Sequence, residues 1–406
     1  MRLMSGVFAA QVLQFLSIPL LAIYYTPAEF GTFGIFTSIV SIVVCIVFFR
    51  YEQVIVTAKK NTELNAVLLL SIFIALIMIP ITSISISIIS YFFFPELYSH
   101  TMIFLFFSYL ALEGFNKFFL YYFNRIKKYK LLSLTKVIQT ICTALISLAF
   151  INTDLKPIGL IIGFVGGSLC SFITYIIYNL KTKTLNIKKS SWLEIKKVMY
   201  KYKNFALFTM PNDFVNTISR QIPILILPSY FSISEVGIYS MAVRLVNAPI
   251  SLFGYAYGQV FFQKLSRLFE LKPRKISSFF HRNVKYLAKM SVALILLVWF
   301  VAPIVIELFF NNSWTDLPFV MKLQLPSSVI MFVTSPLSFI VLVLNKQKSF
   351  FIYELILLSL RAGVLLTSIA LGFNFYMSIL NYSLTVLVMN VILLKLLYRF
   401  SKTPTS

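Results

Sequence analysis

Ionisable side chains recur at helical spacing inside long apolar stretches of this sequence. Asp213, Asn216 and Arg220 follow one another at i, i+3 and i+7, so they line one face of a helix. Glu113 and Lys117 form an i, i+4 pair in another apolar stretch. An arginine cannot neutralise itself by losing a proton, so in hydrocarbon it needs a carboxylate, water or an anionic ligand. Because guanidinium groups bind phosphate through paired hydrogen bonds, these residues predict an anion site.

The elements that carry these side chains are predicted to be membrane helices. Apolar residues make up 59% of the chain and charged residues 12%, whereas a soluble domain carries about a quarter charged residues. We predict an all-α polytopic membrane protein with about 12 spans, each long enough to cross a ~30 Å hydrocarbon layer. The first block is expected to be a span, because it is long and no small-residue cleavage site follows it. The spans lie near 4–25, 33–49, 66–94, 101–123, 131–152, 157–178, 204–228, 236–262, 285–308, 318–344, 349–371 and 373–398.

The segments between these spans alternate between two kinds. One kind is short and acidic or neutral, and Lys156 is its only cation. The other kind is basic, and it includes 50–60, 125–130, 181–203, 264–289, 346–348 and the C-terminal tail. Because cytoplasmic loops carry an excess of Lys and Arg, both termini are predicted to be cytoplasmic. The net charge of +23 then reflects topology, and no nucleic-acid partner is expected. The segments 181–203 and 264–289 are basic and partly amphipathic, and they are predicted to lie on anionic membrane lipids. The alternative for these two segments is a dedicated partner site.

Two stretches of the chain repeat one another at a constant offset. Residues 24–33 read YYTPAEFGTF and residues 230–239 read YFSISEVGIY. Without a gap, the identical pairs are Tyr24/Tyr230, Glu29/Glu235, Gly31/Gly237, Val40/Val246, Tyr51/Tyr257, Gln53/Gln259 and Val54/Val260. We therefore predict an N-terminal six-helix lobe at 1–180, a basic cytoplasmic linker at 181–203 and a C-terminal six-helix lobe at 204–406. Transporters built from such parallel repeats bind their substrate between the halves near the membrane midplane.

Two arginines of the second half are predicted to lie near that midplane. Arg220 and Arg244 each fall ~12 Å below the outer surface, and Arg361 lies ~18 Å in from the other face. With Lys117 and Asn216, these arginines form the predicted substrate-binding set. Asp213 and Glu113 are the predicted ion-coupling carboxylates. The alternative is a purely structural role, in which Asp213 neutralises Arg220 or Arg244 and Glu113 neutralises Lys117.

Two prolines occupy matching places in the two halves. Pro19 and Pro223 each lie within a predicted span, where proline removes a backbone hydrogen bond. We predict that both act as hinges for opening towards the outside. The alternative is that each is a static kink.

No residues suggest a catalytic or metal centre. Cys45, Cys142 and Cys170 lie in apolar blocks without a CxxC spacing, and His100 and His281 are far apart in sequence. No Gly-rich loop followed by Lys-Ser/Thr is present, so nothing indicates nucleotide hydrolysis. We expect no cofactor, no bound metal and no catalytic residue.

The stretch YYTPAEFGTFGIFTSIVSIVVCIVFFRYEQVIV resembles the opening of bacterial polysaccharide flippases. These belong to the multidrug/oligosaccharidyl-lipid/polysaccharide exporter superfamily. In such flippases a Tyr-x-Pro-Glu-x-Phe-Gly-like turn follows the first span, here at 25–31, and an Arg-Tyr-Glu element closes the second, here at 50–52. The run GYAYGQVFFQKLSR at 254–267 is also similar to the family. The resemblance is sharp over 11–60 and 200–270, and it departs from the family in the few residues that precede the first span.

This resemblance implies that the chain flips an undecaprenyl-diphosphate-linked oligosaccharide repeat unit across the bacterial cytoplasmic membrane. It would do so by alternating access, for O-antigen (lipopolysaccharide) or capsule assembly, driven by H⁺ or Na⁺. A glycan polymerase and glycosyltransferases are the further partners that it implies. An antiporter of cationic drugs is the alternative within the superfamily, although it would require a surplus of buried acid. A membrane polysaccharide polymerase or glycosyltransferase is a third reading, although such enzymes usually carry a large outer loop.

Overall fold

A computed structural model describes residues 2–58, 60–94, 98–185, 187, 189–271 and 273–402. For residues 2–10, 252, 255, 256 and 273 it describes the backbone alone. Within these ranges the chain forms helices joined by short turns, and no strand occurs. The all-α prediction is therefore confirmed. Glu96, which was predicted to lie in an outer loop, falls outside the described residues.

The first of two compact units comprises residues 1–25 and 32–221. Its α-helices are α1 (Arg2–Tyr24), most of α2 (Pro27–Val43), α3 (Tyr51–Thr57), α4 (Asn61–Phe93), α5 (His100–Arg125), α6 (Tyr129–Ala149), α7 (Lys156–Thr182), α8 (Trp192–Lys201) and most of α9 (Met210–Ile226). A π-helix at Phe205–Thr209 leads into α9. We call this part of the chain unit 1.

The second compact unit, unit 2, comprises residues 26–31 and 222–406. Its α-helices are α10 (Ile233–Leu271), α11 (Ile276–Leu296), α12 (Ala302–Phe309), α13 (Leu317–Leu337), α14 (Ile340–Val343), α15 (Gln347–Ala370) and α16 (Phe375–Lys402). A π-helix at Leu297–Val301 joins α11 to α12. The predicted lobes at 1–180 and 204–406 and the linker at 181–203 stay predictions.

Eight helical segments of the described residues are long and apolar enough to cross a membrane. They are α4, α5, α6, α7, α15, α16 and the continuous runs Ile276–Phe309 and Asn312–Val343. Shorter apolar helices cover Gln11–Tyr24 and Pro27–Val43. These segments make the chain a multi-pass membrane protein. The side on which its termini lie stays a prediction.

The end of the second predicted span differs from the prediction. The helix α2 ends at Val43, and residues 44–50 form turns before α3 begins. Phe49 and Arg50 take positive φ angles of 48° and 65°, a region that costs free energy for residues with a side chain and often marks functional positions. Arg50, which was assigned to a basic loop, is largely buried, with 13% of its side chain exposed.

The repeated stretches adopt the same local structure. At the start of α2 the carboxylate of Glu29 accepts hydrogen bonds from the backbone nitrogen of Thr26 at 2.6 Å and from its hydroxyl at 3.0 Å. At the start of α10 the carboxylate of Glu235 accepts the same pair of bonds from Ser232, at 2.9 and 2.8 Å. Both are capping boxes, which satisfy the first free N–H groups of a helix. The identity of Glu29 with Glu235 therefore marks equivalent helix starts.

Within unit 2 the two capping turns contact each other reciprocally. A Cβ added to Gly31 would overlap the carbonyl oxygen of Ile233, and one added to Gly237 would overlap that of Pro27. Pro27 corresponds to Ile233, and Gly31 to Gly237, at the same sequence offset. The contact therefore relates equivalent residues of the two repeats, and both glycines are required by the close approach of the backbones.

Two of three glycines at a spacing of four bring α6 and α7 into close contact. A Cβ at Gly163 would come within 2.7 Å of the carbonyl oxygen of Thr143, and one at Gly167 within 2.6 Å of that of Gln139. Gly159, on the same face of α7, lies against the hydroxyl of Tyr25. Small residues at this spacing let membrane helices approach closely enough for polar side chains to bond across the interface. This packing positions Ser168 of α7 against the polar side chains of α6.

Candidate functional site

An ion-pair cluster joins α9 to the turn before α3. The Nε atom of Arg50 lies 2.8 Å from the Oδ2 atom of Asp213, and its Nη1 atom lies 3.6 Å from the Oε1 atom of Glu52. The left-handed backbone at Arg50 directs the guanidinium towards these two carboxylates. Asp213 therefore has a partner, Arg50, that was not predicted from the sequence, and its pairing with Arg220 or Arg244 stays a prediction.

Glu52 is the most buried member of this cluster. It lies on α3, which is not among the candidate membrane spans, and it is 2% exposed. Burial raises the pKa of its carboxyl, while the positive charges of Arg50 and Lys117 act in the opposite direction. Glu52 lies next to the guanidinium of Arg50, and pairing with an opposite charge is usual for a buried acid.

A chain of polar side chains crosses unit 1 from α6 to α5. Lys136 donates to the Oε1 atom of Gln139 at 3.1 Å, and Gln139 donates to the hydroxyl of Ser168 at 3.3 Å. That hydroxyl donates to the Oε2 atom of Glu113 at 3.0 Å. Asn116 adds a bond to the backbone oxygen of Ser168 at 2.9 Å. A carboxylate and an ammonium are thus connected through an amide and a hydroxyl.

A cavity of about 250 Å³ opens beside this chain. Its charged lining groups are three cations, Arg50, Lys117 and Lys136, and the carboxylate of Glu113. Its other lining residues are Asn116, Leu120, Tyr121, Ser171 and Tyr175. The structure therefore places Glu113 and Lys117, predicted as a helical pair, around one cavity.

A second cavity of about 380 Å³ shares Glu113 and Lys136 with the first. Its other lining residues carry amides, hydroxyls and aromatic rings: Gln11, Gln14, Ser17, Tyr109, Gln139, Thr140, Thr143 and Phe164. Amides and hydroxyls both donate and accept hydrogen bonds, so this lining suits a ligand that is rich in hydroxyl groups. The two cavities share the charged side chains of Glu113 and Lys136, and the first is also lined by the cations Arg50 and Lys117.

The predicted face of α9 is formed, but its members have different partners. Arg220 donates to the Oδ1 atom of Asn216, one turn earlier, and is exposed. Asp213 lies at the other end of this face and contacts Arg50. Pro223 lies inside α9, as Pro19 lies inside α1. The hinge role of both prolines stays a prediction.

The other predicted arginines belong to unit 2. Arg244 lies on α10 and is half-buried, and Arg361 lies on α15 and is 4% exposed. The guanidinium carbon of Arg361 lies 6.0 Å from the ring centroid of Tyr382, within the range of a cation–π contact. Glu354, two helical turns before Arg361, is also buried. The substrate-binding role of Arg220, Arg244, Arg361, Lys117 and Asn216 stays a prediction.

The sequence did not indicate a site role for five residues: Arg50, Glu52, Lys136, Gln139 and Ser168. Arg50 and Glu52 were placed in a basic loop, although the Arg-Tyr-Glu element that contains them was noted. Lys136 falls inside a predicted span, and Gln139 and Ser168 carry no charge. The glycine spacing on α7 was the available signal, because it predicts a close helix contact across which such side chains can bond.

These features define a class: a helical, multi-pass membrane protein with polar cavities inside its helix bundle. The structure is similar to an inward-facing multidrug resistance MATE family transporter of the MOP superfamily, with a TM-score of 0.73 and 14% identity over 97% of this chain and 96% of that one. It is also similar to the lipid II flippase MurJ in an inward closed conformation, with a TM-score of 0.69 and 17% identity over 97% and 86% of the two chains. A MOP superfamily transporter from Pyrococcus furiosus matches with a TM-score of 0.61 and 14% identity, over 99% and 93%. These likenesses establish the fold.

The family follows from the sequence. The model of the polysaccharide biosynthesis protein family matches residues 9–318, and the chain belongs to that family. No curated protein matches the chain significantly. The resemblance noted from 25–31 and 50–52 is thereby confirmed at the level of the family and the superfamily fold.

Proposed function

We propose that this protein translocates an undecaprenyl-diphosphate-linked oligosaccharide repeat unit across the bacterial cytoplasmic membrane by alternating access, for O-antigen or capsule assembly. Membership of the polysaccharide biosynthesis family supports a glycan substrate. The fold shared with a multidrug transporter and with the lipid II flippase supports translocation rather than catalysis. The lipid tail stays in the bilayer while the headgroup passes through the protein.

The observation that carries the proposal is the pair of adjoining cavities in unit 1. One is lined by Arg50, Lys117 and Lys136, whose cationic groups suit a diphosphate. The other is lined by amides, hydroxyls and aromatic rings, which suit the neutral sugar beside it. A diphosphate-linked sugar carries these two chemistries next to each other. An exporter of cationic drugs would instead require excess acid, so the lining favours the anionic substrate.

Five residues are proposed to bind the headgroup. They are Arg220, Arg244, Lys117, Arg361 and Asn216, of which Lys117 lines the cationic cavity and the other four do not. Asp213 and Glu113 are proposed as the carboxylates that couple transport to H⁺ or Na⁺. The guanidinium of Arg50 lies beside the carboxylate of Asp213, and the hydroxyl of Ser168 donates to that of Glu113, so each carboxylate contacts a defined side chain.

The experiment measures surface polysaccharide and membrane abundance together in cells that carry single variants. Arg244→Ala and Arg220→Ala should abolish surface glycan while the protein stays at parental level. Arg→Lys at each position should restore export only in part, because an ammonium retains the charge and loses the planar fork. Lys285→Ala, at an exposed lysine of α11, is the control and should export normally. Full export from abundant Arg220→Ala and Arg244→Ala proteins would refute this binding set.

A further inference from the structure

One face of α8 is fixed against unit 1. The hydroxyl of Tyr51 donates to the backbone oxygen of Met199 at 3.1 Å, and Val198 is buried. Lys201 forms an ion pair with Glu63 in the first turn of α4. These contacts fix the rotation of α8 about its own axis, so its opposite face has a defined direction.

The two ends of α8 lie beside different parts of α4. Its C-terminal end is held at Glu63 by Lys201. Its N-terminal end places the ring of Trp192 edge-on against Phe73, with 5.9 Å between the ring centroids. Phe73 lies about 15 Å further along α4 than Glu63, at 1.5 Å per residue. The helix α8 therefore runs antiparallel to α4, and Trp192 meets the apolar part of a candidate membrane span.

The start of α8 is fixed by its own sequence. Ser191 accepts from the backbone nitrogen of Glu194 at 3.3 Å, and Glu194 accepts from the backbone nitrogen of Ser191 at 3.0 Å. This capping box fixes the beginning of α8, with Ser191 as the N-cap and Trp192 as the first helical residue. The position of Trp192 at the first turn is thus set locally as well as by Phe73.

The outward face of α8 is both apolar and basic. Trp192, Leu193 and Tyr200 are 63%, 69% and 65% exposed. Lys196 lies between Trp192 and Tyr200 around the helix, at 100° per residue. Lys203 lies just beyond the end of α8, and its Nζ atom is 5.8 Å from the ring centroid of Tyr200, which places it on the same side. The exposed aromatic rings and leucine of this face are unfavourable in contact with water, so a partially apolar partner is expected. The lysines on the same face require that the partner also carries polar or anionic groups.

We propose that this face of α8 binds an anionic lipid surface. The Trp192 and Leu193 end enters the boundary between headgroups and acyl chains, next to the apolar surface of α4. Lys196 and Lys203 hold phosphate groups of anionic lipids while their stems lie along the apolar face. Each lysine near an anionic surface contributes about a fivefold preference over neutral lipid. The surface is independent of the cavities that were assigned to transport.

Trp192 provides the probe for this proposal. The purified full chain is reconstituted in vesicles that contain either phosphatidylcholine or phosphatidylglycerol brominated on the acyl chains, each in a background of the other lipid unbrominated. The difference in fluorescence quenching between the parent and Trp192→Phe isolates the signal of Trp192. We expect that signal to be quenched more strongly by brominated phosphatidylglycerol, and the preference to weaken at high salt, where charges are screened.

Charge variants test the cause of that preference. Lys196→Gln with Lys203→Gln should abolish the preference for phosphatidylglycerol, whereas Lys285→Gln with Lys289→Gln removes the same charge from α11 and should leave it unchanged. Equal quenching by the two lipids in the parent would overturn the anionic part of the proposal. Quenching of Trp192 by aqueous iodide but by neither lipid would place this face in water or against a protein. That result would overturn the proposal that α8 binds a lipid surface.

Discussion

At the residue scale, the ion pair of Arg50 with Asp213 is the main difference between the predicted and the observed contacts of the buried charges. The sequence supplied Asp213 as a candidate partner for Arg220 or Arg244, because residues on neighbouring apolar stretches were compared. In the structure a left-handed turn at Phe49 and Arg50 brings a supposed loop cation to Asp213. Residue types do not indicate that Phe49 and Arg50 adopt positive φ angles. The pairing of Arg50 with Asp213 therefore could not be predicted from the sequence.

The Arg50–Asp213 pair should be visible in stability measurements. Asp213 keeps 35% of its side chain exposed while Arg50 keeps 13%, so the loss on breaking the pair should be below the ~3–5 kcal/mol of a fully buried pair. We expect Arg50→Gln and Asp213→Asn each to lower the thermal stability of the detergent-solubilised protein. The double variant should lose about 0.5–3 kcal/mol less than the sum of the single losses.

The matched control for that cycle is the ion pair of Lys201 with Glu63, in which the lysine keeps 58% of its side chain exposed. Lys201→Gln should change thermal stability little, because solvent screens the charge of an exposed lysine. Strict additivity of Arg50→Gln and Asp213→Asn would show that the contact does not couple the two residues energetically.

At the element scale, the glycines of α7 decide whether the polar chain can form. The apolar blocks predicted α6 and α7. The hydrogen bonds that Ser168 accepts from Gln139 and donates to Glu113, however, depend on how closely the helices approach. That distance follows from Gly163 and Gly167, which the hydropathy of the sequence places only within an apolar block. The elements were therefore predictable from hydropathy, whereas their contacts required the helix spacing.

Substitution of Gly163 tests this contact. Gly163→Leu should lower membrane abundance and thermal stability, because its Cβ alone would overlap the Ser147 hydroxyl. Gly363→Ala is the control, since Gly363 lies inside α15 with open space around it. Alanine there should be neutral or should stabilise the helix by up to about 1 kcal/mol. Parental stability of the Gly163→Leu protein would show that the α6–α7 contact is looser than described.

The two prolines are tested as helix hinges. If Pro19 and Pro223 permit bending, Pro19→Ala and Pro223→Ala should straighten α1 and α9 and reduce opening towards the outside. Cysteine cross-linking between residues on the predicted outer side measures the populations of the open and closed states. Parental populations in both variants would identify each proline as a static kink.

At the scale of the whole molecule, the sequence predicted the fold class because hydropathy and length are global properties. The repeat was also readable, since Glu29 and Glu235 mark equivalent helix starts and Gly31 and Gly237 mark equivalent close contacts. The orientation in the membrane rests on the loop charges alone. The substrate rests on the family and on the lining of the cavities.

Reporter fusions test the orientation. Fusions after Lys130, Lys203 and Lys289 should report the cytoplasm, because these positions end basic segments. Fusions near Asp154 and Asp316 should report the outside. One inverted position would remove both the twelve-span topology and the argument for parallel repeats.

The central claim is translocation of a diphosphate-linked glycan, and reconstitution tests it most directly. Purified protein is placed in vesicles with a lectin-reactive oligosaccharide on polyprenyl diphosphate, confined at first to one leaflet, and exposure of the glycan on the other leaflet is followed. The account predicts exposure that requires the protein, that is lost in Arg244→Ala, and that fails when the same glycan is carried on an uncharged polyprenyl ether. Movement of the uncharged glycolipid at the same rate, or no movement of the diphosphate-linked one under an imposed H⁺ or Na⁺ gradient, would contradict it.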